Sequence, residues 1–392
     1  MKHLLPILLL SFILAGCGVN KARIARIDMI LDSLRGEYAQ DPRTSVFKVS
    51  AEIQDEGIVL RGEVDDPDAK AKLFSDIHAA GENTLTDSVT VLPESGLEPK
   101  VYGVVDVSVG NLYAGPHDAA ELVDQVLLGH TVKVYKKTRD WFYVKSTPEL
   151  PWDKGYLGWI DTGNIVLMDS SAIASYRAKR KIIVTTILTT LRSMPNGGST
   201  ISDLAMADYL TPIRTTSSSF KIELPDGRTG YVSKSDAQFE DEYLNSHKAT
   251  PQSIEKLAKD FLGFPYLWGG TSTKAMDCSG FVKTVFRMNG IDLPRDASQQ
   301  SDIGDSVDPG VDFSNLEKGD LLFFGDKATA QKPEKIAHVG IYLGSGFFIH
   351  SSSLVRISSF NKNDSLFDKY DLERFVRARR ILGVQPNQGK HD

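Results

Sequence analysis

The sequence predicts a multidomain chain that ends in an α+β domain, and three observations lead there. Hydrophobic spacing changes twice along the 392 residues, from mixed helix and strand to short strands and back to mixed. Gly, Asn, Asp and Pro turns crowd the middle of the chain, where they part runs too short for helices. One cysteine, Cys278, follows a helix-capping aspartate in the last third. The length alone suits about two to four domains. Hydrophobic residues at 41% and charged residues at 24% are those of a globular chain. A net charge of −6 gives no reason to expect a nucleic-acid partner, which needs a basic face.

Residues 1–17 have a short basic start, an apolar run and small residues before Cys17, which is the architecture of a secretory signal. Leu14-Ala15-Gly16-Cys17 resembles the bacterial lipobox, which implies lipidation of Cys17 and an exported chain anchored in the cell-envelope membrane. With Cys17 so used, Cys278 is left as a lone thiol.

Residues 20–95 form a small unit. Ile24, Ile27, Ile30, Leu31 and Leu34 predict an amphipathic helix. Strands are expected at 47–53 and 58–64, a helix from Pro67 through Ile77, and a strand at 88–92. This small α/β module, with Val59-Leu60-Arg61-Gly62-Glu63-Val64 at its centre, resembles the BON-type module of envelope proteins, which implies a spacer or docking role.

From 100 to 168 short strands are expected at 104–109, 122–128, 131–137, 141–146 and 156–160, the pattern of a small β-barrel. Glu121 to Gly129 and Gly155-Tyr156-Leu157-Gly158-Trp159-Ile160 resemble bacterial SH3-like domains. Residues 180–238 read as a second, degenerate copy, with Ile201-Ser202-Asp203-Leu204 early and Gly227 to Val232 late. It lacks a tryptophan to match Trp159. Thr211–Ser219, rich in hydroxyl groups, reads as an exposed loop.

The last domain spans 250–382, opened by Thr250-Pro251 as cap and first helical residue and followed by a polar tail from Gln385. Phe281, Val282, Val285 and Phe286 repeat at helical spacing after Asp277, and Asn289-Gly290 stops the pattern. Cys278 therefore sits in the first helical turn, where free N–H groups and the helix dipole are expected to favour its thiolate. Gly344-Ser345-Gly346 reads as a hairpin turn that brings His338 opposite or diagonal to His350. Nucleophile, base and orienter are then Cys278, His338 and His350, with the Cys278 N–H and Tyr266 hydroxyl as oxyanion donors. Each residue alone also has a packing explanation, and a zinc site of Cys278, His338, His350 and Asp277 stays open, although it lacks the usual paired spacing. No cofactor is expected.

Five segments now combine: Pro265 to Gly270, Asp277-Cys278-Ser279-Gly280-Phe281, Leu293 to Gln300, Gly319 to Phe324, and His338-Val339-Gly340-Ile341-Tyr342. Together they resemble the signature of NlpC-type, papain-like cell-wall peptidases. The resemblance implies an α+β papain-like catalytic domain preceded by two small SH3-like β-barrels and the small α/β module. It also implies cleavage of the γ-D-glutamyl bond to a diamino acid in peptidoglycan stem peptides, by a monomer. Joined to SH3-like domains, the pattern resembles the γ-D-glutamyl-L-diamino-acid endopeptidases. That implies that Glu121, Tyr156 and Asp277 grip the free amine of a terminal L-Ala, satisfying its three donors. Ser279, Trp268, Arg295, Asp296 and Ser298 are expected to line the same cleft, with Arg295 alternatively an ion-pair partner near Asp296. Cleavage of intact peptidoglycan, an inactive wall-binding module and thiol acyl transfer remain alternatives.

Overall fold

The computed structural model describes residues 7–55, 57–147 and 152–384, with side chains from Asn20 onward. The start of the expected signal segment, the Cys17 side chain and the tail from Gln385 lie outside the described residues. Two compact units meet between Glu98 and Pro99.

In the first unit the helix Ile7–Tyr38 leads to strands Phe47–Gln54 and Gly57–Val64, the helix Pro67–Ala79 and the strand Leu85–Val91. The first two strands are antiparallel, and the third adds in parallel to the second. Ile27, Leu31 and Leu34 from one helix and Ala69, Leu73 and Ile77 from the other bury their spaced apolar faces with Phe47, Ile58 and Leu60. Asp66 accepts the Asp68 N–H, and Pro67 takes the first helical position, so that helix start is fixed locally. No described helix is long and apolar enough to cross a membrane.

The second unit begins with two seven-stranded antiparallel sheets. Numbering the seven strands of each sheet in chain order, both run seventh, first, fourth, fifth, sixth, second, third across the sheet. The second barrel thus repeats the first in topology despite its divergent sequence. A buried detail repeats as well. A Cβ on Gly158 would lie 2.7 Å from Leu112, and one on Gly230 would lie 2.6 Å from Leu191, each on the second strand of its barrel. Tyr231 then takes the place of Trp159.

Two expectations change here. The run 104–109 is not one strand but two, Tyr102–Val105 and Val109–Tyr113, because apolar alternation continues across a bend at Val107–Ser108 and so conceals it. Thr211–Thr215 belongs to the strand Tyr209–Thr215, paired with Ser219–Glu223, rather than to a loop. Threonine and isoleucine suit a strand even where its far end is exposed.

The last domain folds around the helix Cys278–Arg287 and a six-stranded antiparallel sheet. Phe281, Val282, Val285 and Phe286 pack on Leu321, Phe323, Val339, Ile341 and Ile349. The same core takes in Leu127 from the first barrel and Ile183, Met206 and Tyr209 from the second. Thr250 and Ser253 form a reciprocal capping box on the preceding helix Pro251–Asp260. Gly280 lets the central helix press against the incoming loop, since a Cβ there would sit 2.0 Å from the Gly270 carbonyl oxygen. Gly280→Ala is therefore expected to destabilise the fold by about 2 kcal/mol through overpacking. The check is a thermal midpoint lowered by several degrees relative to the wild type.

Candidate active site

Asp277 starts the helix Cys278–Arg287 by accepting the Gly280 N–H at 2.8 Å. Cys278 follows at the first helical position, 7% exposed, with the Val339 and Ser279 N–H groups directed at its sulfur. Its own N–H has no intrahelical acceptor at that position. The aromatic loop is held beside it by backbone bonds from Tyr266 N–H to Ser353 O and from Asp277 N–H to Gly270 O, both 3.0 Å. Ser351 Oγ donates to Met276 O at 2.9 Å and ties the His350 strand to the same loop.

The strands Lys335–Gly344 and Phe347–Ser352 pair with Ile341 opposite Ile349, which sets Gly340, not His338, across from His350. His338 is diagonal to His350, and its Nε2 lies 2.7 Å from His350 Nδ1. Gly340 makes this possible, because a Cβ there would press on the His350 Cβ at 3.2 Å. The far nitrogen of His350 meets Ser358 Oγ at 3.0 Å. His338, His350 and Asp371 bring their ligating atoms within 4.8 Å of one another. Two nitrogens bound to one tetrahedral zinc stand about 3.3 Å apart, from Zn–N bonds of about 2.0–2.1 Å. The 2.7 Å contact is a hydrogen-bond distance instead, and the Asp277 oxygens of the alternative zinc set are taken by other donors.

Electrostatics overturns one expectation. Burial, then the nearby Asp277 charge, pushes the Cys278 thiol up to about 12, against the N–H groups that favour its thiolate. Burial also pushes His338 down to about 4, and burial with His338 pushes His350 down to about 2. At neutral pH the site therefore rests as thiol and imidazole. The helix start is outweighed because desolvation acts on the whole sulfur, whereas the dipole contributes only about 0.3–1 kcal/mol. Burial, then the charge of Cys278, raises the pKa of the Tyr266 phenol, whose hydroxyl makes no hydrogen bond among the described residues.

The residues expected to read substrate fall into one bonded group. Arg295, 2% exposed, donates to Asp277 Oδ2 at 2.6 Å, Asp277 Oδ1 at 3.1 Å and Ser279 Oγ at 3.0 Å. Its Nε stands 2.8 Å from Asp124 Oδ1 in the first barrel, a charge contact too poorly aligned for a hydrogen bond. Gly269 N–H and Ser279 Oγ also reach Asp277, so both its oxygens are occupied. Asp277 is thus a cap and an Arg295 partner, and the alternative reading of Arg295 as an ion-pair residue describes its geometry. Tyr156 Oη donates to Asp296 Oδ2 at 3.0 Å, and Trp268 Nε1 donates to Glu121 Oε1 at 2.8 Å. Ser298 lies half-buried in the short helix Ala297–Gln300 that Asp296 caps.

Sequence reasoning missed several partners. Asp124 and Gln125 of the first barrel touch Arg295 and the Thr271 N–H, the latter at 3.0 Å. Lys283, on the helix behind Cys278, is clamped by Asp153 at 2.7 Å and Asp292 at 2.8 Å. A lysine inside the apolar run Phe281–Phe286 was the available signal for a buried charge. Ser358, Asp368 and Asp371 carried none.

A buried thiol at a helix start, an imidazole pair on the facing sheet and an α+β scaffold define a papain-like thiol hydrolase. Residues 263–380 match the NlpC/P60 family, and residues 108–166 match the bacterial SH3 domain. The chain is 31% identical over 268 residues to a gamma-D-glutamyl-L-lysine dipeptidyl-peptidase of Bacillus cereus, covering 68% of this chain and 77% of that protein. It is 40% identical over 126 residues to a murein DD-endopeptidase MepS/murein LD-carboxypeptidase of Escherichia coli, covering 31% and 58% respectively. A crystal structure of an NlpC/P60 family protein from Bacillus cereus aligns with a TM-score of 0.59 at 26% identity, over 71% of this chain and 99% of that one. The chain belongs to the NlpC/P60 family, and it is a peptidase.

Two outcomes are expected. Arg295→Leu strands Asp277 and Asp124 without their cation and should cost about 3–5 kcal/mol, read as a shifted denaturant midpoint. The imidazole serves as base only when neutral, so a lowered pKa extends its working range downward. The acid limb of kcat/KM should fall near pH 4, following His338. A limb near about 6.5, the ordinary imidazole value, would contradict the buried neutral pair.

Proposed function

We propose that this chain hydrolyses the bond between γ-D-glutamate and a diamino acid in murein peptides whose terminal L-Ala amine is free. The supporting observation is the join of the first barrel to the nucleophile loop. Tyr156, Glu121 and Asp124 contact Asp296, Trp268 and Arg295 there. Three carboxylates, Asp124, Asp277 and Asp296, surround one guanidinium, so the local charge is negative and an ammonium is the complementary ligand. Glu121, exposed at the barrel edge, and Tyr156 with Asp296 are the groups that meet it. Asp277 adds charge from behind and directs its oxygens at Arg295. A stem peptide still joined to muramic acid presents an uncharged amide and leaves the excess negative charge around Arg295 uncompensated, which disfavours it. The relative named gamma-D-glutamyl-L-lysine dipeptidyl-peptidase supports the same bond choice.

In this reading the Cys278 sulfur attacks the glutamyl carbonyl carbon while the thiol proton passes to His338 Nδ1. The Cys278 N–H and the Tyr266 hydroxyl receive the oxyanion. His338 then returns the proton to the departing diamino-acid nitrogen, and water releases the acyl group from sulfur. The resting thiol makes His338 a true general base, since no thiolate stands ready. The signal-like start and Cys17 support export and lipid anchoring in the envelope membrane, which would set the enzyme where released murein peptides pass.

The test pairs free L-Ala-γ-D-Glu-diaminopimelate with its N-acetylated form. The free peptide is expected to be cleaved at least about tenfold faster in kcat/KM, since a hydrogen bond to a charged group is worth about 1.5–3 kcal/mol. Equal rates would remove the amine requirement and favour intact peptidoglycan as substrate. Cys278→Ala is expected to abolish cleavage while the fold survives, and Glu121→Gln should slow the free peptide more than the acetylated one.

A further inference from the structure

The histidine pair does not end at His350. That ring is fully buried, and both its nitrogens are engaged. Nδ1 meets His338 Nε2 at 2.7 Å, and Nε2 meets Ser358 Oγ at 3.0 Å. The Ser358 hydroxyl donates onward to Asp368 Oδ2 at 3.1 Å. Asp368 Oδ1 accepts the Asp371 N–H at 3.1 Å and caps the helix Lys369–Arg374. Two further charged groups face the ring. Arg356 Nε donates to His350 Nε2 at 3.3 Å while its Nη2 donates to Asp368 Oδ2 at 3.2 Å, and Asp371 Oδ2 lies 3.4 Å from His350 Nδ1.

The direction of each proton follows from what each atom can do. His338 spends Nε2 on His350, so Nδ1 is the nitrogen left for the thiol proton, and it must carry a lone pair. Neutral imidazole has one proton, so His338 is protonated on Nε2 and donates to His350 Nδ1. His350 then carries its own proton on Nε2 and needs an acceptor there. Ser358 Oγ accepts only if its hydroxyl proton is used elsewhere, and Asp368, an acceptor-only carboxylate when ionised, takes it. Arg356 Nε and an ionised Asp371 favour the opposite order. The Ser358 contact is shorter than either, and burial pushes the Asp371 carboxyl up to about 6, which weakens its pull on a proton at Nδ1.

We propose that Ser358 and Asp368 are positioning residues of this site, holding His350 in the tautomer protonated on Nε2 and so leaving His338 Nδ1 free to receive the Cys278 proton. The inference rests on Cys278 as nucleophile and His338 as base, and it extends the site to two residues beyond the histidine pair. Its logic matches a carboxylate that fixes a catalytic imidazole without itself taking the proton.

Asp368→Asn is the sharper variant. Asparagine is as good a helix cap as aspartate, so the helix start is kept. Its amide N–H can donate to Ser358 Oγ, which turns the hydroxyl toward His350 Nε2 and reverses every proton in the chain. On the free murein tripeptide, kcat is expected to fall about a hundredfold with KM held within about twofold; for Ser358→Ala the fall is about tenfold. Long-range nitrogen–proton NMR spectra of the full chain read the tautomers without substrate. His350 is expected on Nε2–H in the wild type, moving to Nδ1–H in Asp368→Asn. A wild-type ring protonated on Nδ1 overturns the proposal. So does unchanged kcat in both variants, or a loss that appears in KM and the thermal midpoint with no change of tautomer. If the wild type shows the expected tautomer but neither it nor any variant cleaves murein peptides, the proposed function fails and the relay stands. If cleavage requires Cys278 yet both variants keep wild-type kcat, the relay fails and the function stands.

Discussion

The Arg295 guanidinium, almost without solvent contact, bridges the carboxylate that caps the nucleophile helix and a carboxylate on the first barrel. A buried cation has a large desolvation cost, which its anions must offset, and removal of any one partner leaves the others stranded. The start of the Cys278 helix, the Gly269–Gly270 loop and the barrel strand Leu122–Leu127 are therefore fixed together. Gly269 shows how closely they meet, since a Cβ there would lie 2.3 Å from the Leu122 carbonyl oxygen. The barrel is a wall of the active site, not a tethered accessory, because charge and backbone both cross the join.

The same charge network shapes the chemistry. Asp277 so close to Cys278 opposes a resting thiolate, and burial opposes it further. Burial also lowers the pKa of His338, so the local environment favours the neutral form of both groups. Excess negative charge around Arg295 suits a cationic end of the substrate. One arrangement thus opposes ionisation of the thiol in the empty site and gathers excess negative charge beside it.

Duplication of the barrel is legible as topology more than as sequence. Seven strands recur in one order, with Gly158 against Leu112 and Gly230 against Leu191 at matched positions. The first barrel reaches the catalytic loop through Gln125, Asp124 and Tyr156. The second contributes Met206, Ala207 and Tyr209 to the shared core, and the Met206 N–H donates to Thr273 Oγ1 at 3.3 Å. It joins the catalytic domain through packing, and Tyr231 stands where the first barrel has Trp159.

Local pattern was enough to read the helix that carries Cys278, the hairpin of His338 and His350 and the strand-rich middle of the chain. Each depends on residues near one another in sequence: a cap before an apolar repeat, or a Gly-Ser-Gly turn between strands. The bend at Val107–Ser108 escaped because alternation continued through it, and the strand at Thr211 because hydroxyl residues resemble a loop in composition. The ionisation of Cys278 also escaped, since burial is a property of the packed domain while the helix start is a property of six residues. Ser358 and Asp368 reach His350 only after the sheet is paired and the last short helix is set beside it. Asp124 reaches Arg295 across 171 positions by the same logic. Near-neighbour pattern was enough to single out a thiol at a helix start and two histidines on one hairpin. Tertiary structure decided their protonation, their partners and the charge of the cleft, because desolvation and Coulomb forces depend on distance in space and not along the chain.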